Sequence, residues 1–137
     1  MERPIFKPIG SPVEELDTPA VIVDLDILER NISTVASFFK DRKAKLRPRV
    51  DLHGCPALAH MQLAVAGTVG GVSVATLGQA EAFSGSGIND FSVRGLVVTP
   101  QKIARLCALA RHATVTVAVD NPANVADLSK AAAAARV

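Results

Sequence analysis

Apolar positions along this chain follow two rhythms that take turns. Ala20-Val21-Ile22-Val23-Asp24 is a short β-branched run, apolar on both faces, as a buried parallel strand requires. Asp26 then reads as a helix N-cap, and Leu28, Ile32, Val35 and Phe39 recur at helical spacing up to Lys43. The unit comes four more times. Lys45 to Leu52 predicts a strand, followed by a helix opened by Pro56 and running to about Ala66. Gly71 to Ala75 predicts the third strand, with a helix from Gly78 to Ser84. Phe91 to Arg94 predicts the fourth, and its helix from Pro100 to Arg111 carries Ile103, Leu106, Cys107 and Ala110 on one stripe. Ala113 to Val119 predicts the fifth, and Asn121-Pro122 opens a last helix reaching Ala135.

Strict alternation of this kind predicts an α/β fold: a parallel sheet of about five β/α units joined by right-handed crossovers. A doubly wound open sheet and the first part of a (β/α)8 barrel both satisfy it. A closed barrel normally takes eight units and about 250 residues, against 137 residues here. Residues 1–17, with Pro4, Pro8 and Pro12, predict an irregular lead-in, and residues 18–137 the β/α domain.

Composition narrows the function classes. Hydrophobic residues make up 49% and charged residues 20%, which excludes wholesale disorder. The aromatics, 4% and all Phe, leave the core to Ala, Val, Leu and Ile. A net charge of +2 is too small to argue for a nucleic-acid or membrane partner. No apolar run of about 18 residues and no apolar segment near Met1 is present, so a cytoplasmic protein is expected. Cys55 and Cys107 are too few for a disulfide framework and are read as thiols.

Nucleotide motifs fail on position. The glycines of a phosphate cradle must lie between a strand and the following helix, whereas Gly67, Gly70, Gly71, Gly85 and Gly87 precede strands and suit helix ends. Chemistry in a parallel sheet gathers at the carboxyl ends of its strands. Those ends hold Asp24, Asp51 with His53, Thr76, Arg94 and Asp120. Asp51 and His53, two apart, would face one side of an extended backbone as a carboxylate–imidazole pair for acid–base work. His53 and Cys55 alone do not make a zinc site, which needs three or four ligands. Cys55 precedes the helix opened by Pro56, whose dipole favours a thiolate, but only His53 is near enough in sequence to serve as its base. The basic run Arg42, Lys43, Lys45, Arg47 and Arg49 straddles a helix end and a strand, and reads as a solvated, partly capping face.

Several stretches together resemble one family. Leu16-Asp17-Thr18-Pro19-Ala20 with Val23-Asp24-Leu25-Asp26 and Asn31 resembles the opening of the D-threonine aldolase/D-serine dehydratase family. Leu46-Arg47-Pro48-Arg49-Val50 with His53 and Cys55-Pro56 is similar to its second-strand motif. Val74-Ala75-Thr76-Leu77-Gly78 with Glu81 and Gly87-Ile88 is similar to its third unit. The resemblance covers nearly all of the chain from Leu16. It implies an alanine-racemase-like (β/α)8 barrel, pyridoxal phosphate as cofactor, and cleavage or dehydration of small β-hydroxy-D-amino acids.

The departures fall where the chemistry should be. The family motif reads Arg-Pro-His-x-Lys-Thr-His-Lys, and its first lysine makes the Schiff base. In alignment that lysine is Asp51, the threonine Leu52, the last lysine Gly54 and the first histidine Arg49, while Gln79 replaces the usual Glu. A carboxylate forms no imine. Asp51 and His53 therefore mark the catalytic position, with Thr76 and Arg94 as the cofactor-binding candidates, and the chain is expected to be inactive as it stands. The metal-bearing β-rich domain that the family adds is not in this sequence. A five-unit sheet with two open edges is expected to pair with another copy, to be a piece of something larger, or to be marginally folded.

Overall fold

A computed structural model describes residues 7–137; the start of the lead-in, Met1 to Phe6, lies outside the described residues. A single 3-10 turn, Val13–Glu15, is followed by α1 (Leu25–Phe39) and α2 (Pro56–Leu63). Then come β1 (Val72–Val74), α3 (Leu77–Ser84), β2 (Asp90–Val93), α4 (Pro100–Ala110), β3 (Thr114–Val117) and α5 (Pro122–Ala135). The three strands form one parallel sheet in the order β1-β2-β3.

The last three predicted units form as expected, each helix stopped and started by its own chemistry. Thr76 caps α3 through a box in which its hydroxyl accepts from Gln79 N and the Gln79 side chain accepts from the Thr76 N–H. Gln keeps the acceptor that a Glu would bring, so that departure leaves the helix start intact. Thr99 caps α4 and Asn121 caps α5, each followed by Pro at the first helical turn. Val72, Val74, Phe91 and Val93 are essentially fully buried against Leu77, Ala80 and Phe83 of α3 and Ile103, Leu106 and Leu109 of α4. Cys107 sits in this layer as a buried free thiol.

Two predicted strands come out differently. The segment Lys45 to Leu52 does not form a ladder; it meets the sheet through two isolated parallel bridges, Leu46 with Thr68 and Arg49 with Ser73. Two residues lie between those bridges on one side and four on the other, so the two segments do not share one continuous register. Pro48 has no N–H to give and contributes only its carbonyl, which accepts from Ser73 N. The run Ala20 to Asp24 pairs with nothing among the described residues, and Val21 is 97% exposed. A doubly apolar strand needs sheet on both sides of it and packing on both faces, and among the described residues it has neither. Its last residue, Asp24, instead caps α1 by accepting from Ile27 N at 3.0 Å, two residues before the predicted cap.

Helices cover only one face of the sheet. The opposite face is lined by short or polar side chains: Ser73 stands beside Arg49 and Ser92, and Ser92 beside Thr116. At the amino end of this face Arg47 reaches over Gly71 to Asp90, with Nη1 to Oδ1 at 2.8 Å and Nη2 to Oδ2 at 3.3 Å. A Cβ on Gly71 would collide with the Arg47 guanidinium, with the Asp90 side chain, and with the Asp90 carbonyl at 2.6 Å. Gly71→Ala is therefore expected to destabilise the fold by roughly 1–3 kcal/mol, since a backbone atom must move as well as a side chain. Urea denaturation measures it, and an unchanged midpoint would show that the loop at Gly70–Gly71 yields freely.

Candidate functional site

Side chains alternate along a strand, so residues two further on occupy the same face. One row beyond Arg49, Ser73 and Ser92, towards the carboxyl ends, the register brings Asp51, Ala75 and Arg94 into line. Asp51 and Arg94 lie on either side of β1, in positions about 10 Å apart for strands at the usual spacing. They are bridged all the same: Arg94 Nη2 donates to Asp51 Oδ2 at 2.7 Å. Ala75, with a single methyl, leaves the guanidinium room to cross. Arg49 completes the cluster from Asp51's own segment, donating from Nε to Oδ1 at 3.3 Å and from Nη2 to Oδ2 at 2.9 Å.

The carboxylate is enclosed by these partners, with its side chain 10% exposed, while Arg49 and Arg94 keep 51% and 41% of theirs in solvent. Hydrogen bonding from Arg49 lowers the Asp51 pKa from 3.8 to about 2; burial opposes this and Arg94 adds to it. The same contact raises the Arg49 pKa. Asp51 is therefore an anion held by two arginines, unsuited to taking up a proton near neutral pH.

His53 does not join it. Its Nδ1 accepts from Cys55 N at 3.0 Å, which puts the proton of the neutral ring on Nε2, facing Gln62 Oε1 at 3.3 Å. The imidazole thus braces the turn at Gly54, where φ is +60°, against α2. Thr76 serves α3 as its cap. The expected carboxylate–imidazole pair is absent from the geometry, and Asp51–Arg94 stands in its place. Cys55 is the half-exposed residue before α2 and makes no side-chain cap.

The basic run divides, and only its first part caps a helix as expected. Arg42 stacks 4.0 Å over the Phe38 ring, and Lys45 Nζ donates to the Lys40 carbonyl at 2.7 Å, closing the end of α1. Arg47 and Arg49 belong to the open face. Sequence reasoning missed Asp90 and the link from Asp51 to Arg94. The one signal available was the run Arg47, Arg49, Asp51 at every second residue, which places three charges on one side of an extended segment. An apolar crevice of about 190 Å3 between α1 and residues 46–68, lined by Leu28, Ile32, Val35 and Val65, holds no titratable group. Among the described residues no cluster of three metal-ligating side chains is found, and no helix is long and apolar enough to cross a membrane.

No protein-family model matches the chain. A 3-hydroxy-D-aspartate aldolase of Paracoccus denitrificans is 40% identical over 124 residues, covering 90% of this chain and 32% of the relative. A crystal structure of D-threonine aldolase from Filomicrobium marinum superposes with a TM-score of 0.85 at 39% identity, over 91% of this chain and 33% of that one. An alanine-racemase-like protein from Idiomarina loihiensis, at 23% identity and a TM-score of 0.66, shares the fold. The chain spans about a third of the length of the curated relatives it matches.

The low pKa of Asp51 has a stability consequence. What its ionisation contributes is fully present above 3.8, the value in the unfolded chain, and is lost as pH falls towards 2. Thermal melts across that window should show wild type losing stability more steeply than Asp51→Asn. Equal slopes would mean that the arginines do not hold the carboxylate in solution.

Proposed function

This chain is a homologue of the D-threonine and 3-hydroxy-D-aspartate aldolases along 90% of its length, and from that premise we propose that residues 18–137 are the barrel portion of a pyridoxal-phosphate lyase for β-hydroxy-D-amino acids, with its Schiff-base position converted to an ion pair. Bound pyridoxal phosphate supplies the electron sink that labilises a bond at Cα. Its covalent attachment needs a primary amine. The donor set at the strand ends is Arg49, Asp51, His53, Thr76 and Arg94, which includes none, and a guanidinium stays protonated and unreactive. These residues do not fit a covalently held cofactor.

One observation carries the reading of inactivity: Asp51, aligned with the family lysine, is engaged by Arg49 and Arg94 together. Its neighbours fit a carboxylate and would repel an ammonium. The chain is thus expected to leave pyridoxal phosphate unattached. Incubation with the cofactor, borohydride reduction and peptide mass analysis should give no adduct, or scattered labelling of surface lysines. A single stoichiometric pyridoxyl group on one lysine would overturn this and reopen the question of catalysis.

A second reading, a binding module that associates with itself or a homologue, is favoured by different residues. Val21, Ile22 and Val23 are 97%, 61% and 48% exposed, and α1 has no buried residue despite its apolar stripe. Among the described residues β3 also forms an edge of the sheet with no strand beyond it. Sedimentation over a range of concentrations should then show dimers or larger species, and a monomer at every concentration would dispose of the idea.

A further inference from the structure

The open face of the sheet holds more positive charge than its own carboxylates use. We propose that Arg49 and Arg94 form a non-covalent seat for a small carboxylate ligand on this face; this rests on the strand ends being the ligand-binding end, as in the function proposed above. The cluster already shows what it selects, since two guanidiniums grip the carboxylate of Asp51. Arg49 spends Nε and Nη2 on that carboxylate, and Arg94 spends one Nη2. Arg49 Nη1 and Arg94 Nε and Nη1 have no partner among the described residues, and both side chains are about half in solvent. Two cations against one anion leave the cluster with a net positive charge.

Shape agrees with charge. The register sets the short side chains of Ser73, Ala75 and Ser92 beside the cluster, with Ser73 buried while Arg49 and Arg94 stay half in solvent. Asp51 fixes Arg94 across β1, so the planar donors are oriented before any ligand arrives and less side-chain freedom is lost on binding. The contrasting pair at the other end of the face, Arg47 with Asp90, is matched one to one and leaves no such excess.

The test uses the full chain at constant ionic strength, following arginine side-chain N–H resonances by NMR while succinate is added. Saturable shifts are expected at Arg49 and Arg94, with no response to succinamide, which has the same shape and no charge. Arg94→Gln and Arg49→Gln should each weaken succinate binding by about fivefold or more, the loss of one charge-assisted contact. Arg111→Gln, at the exposed end of α4, should leave it unchanged, and thermal melts confirm that each variant is folded. A linear response, or equal binding by the Arg94→Gln and Arg49→Gln variants, overturns the proposal. Inorganic phosphate binding as tightly as succinate would show a general anion patch and also overturn it. Because no cofactor is added, these outcomes are independent of the pyridoxal phosphate adduct.

Discussion

Strands in a parallel sheet stand close together, and a side chain that must reach across a neighbouring strand can do so only over a small residue. That constraint shapes the uncovered face of this sheet. Gly71 lies under the Arg47–Asp90 pair and Ala75 under the Asp51–Arg94 pair. The two bridges run between the same two segments and have opposite polarity. Together they tie residues 45–51, which meet β1 through a single isolated bridge at Ser73, onto β2 on its far side. On the other face the sheet is held by ordinary packing of Val72, Val74, Phe91 and Val93 under α3 and α4.

On that scaffold, positions 49 and 51 answer one another. Asp51 alone would be a poorly solvated anion at this strand end. Arg49, two residues earlier on the same side of the extended backbone, binds it through two hydrogen bonds. Arg94 contributes from across the sheet. The backbone that carries this cluster superposes on D-threonine aldolase from Filomicrobium marinum at a TM-score of 0.85.

The outer layer adds polar ties between its own elements. Glu81 on α3 accepts from Arg105 on α4, which holds the Glu81 carboxyl below its ordinary pKa and links the two helices. Asn124 of α5 donates to the Val97 carbonyl at 2.9 Å, tying the loop after β2 to the last helix. Among the described residues α1 makes no such side-chain tie to the sheet layer. It rests over an apolar crevice, and the run at 20–24 stays in solvent.

Alternation of β-branched runs with 3.6-residue stripes, punctuated by Thr76, Thr99 and Asn121-Pro122, was enough to read the last three β/α units and the parallel sheet from the chain alone. Those are local signals, and their partners follow within about twenty residues. The candidate residues Asp51, His53, Thr76 and Arg94 were also legible, because strand ends can be located from pattern. What each of them does was not. Whether Ala20 to Asp24 pairs depends on neighbours on both sides, and its own sequence is silent about them. That Asp51 turns to Arg94 depends on the register between segments more than forty residues apart, and that His53 turns to Cys55 and Gln62 depends on the turn at Gly54 folding it back onto α2. Periodicity carries the direction of a side chain; only the assembled sheet decides what it meets there.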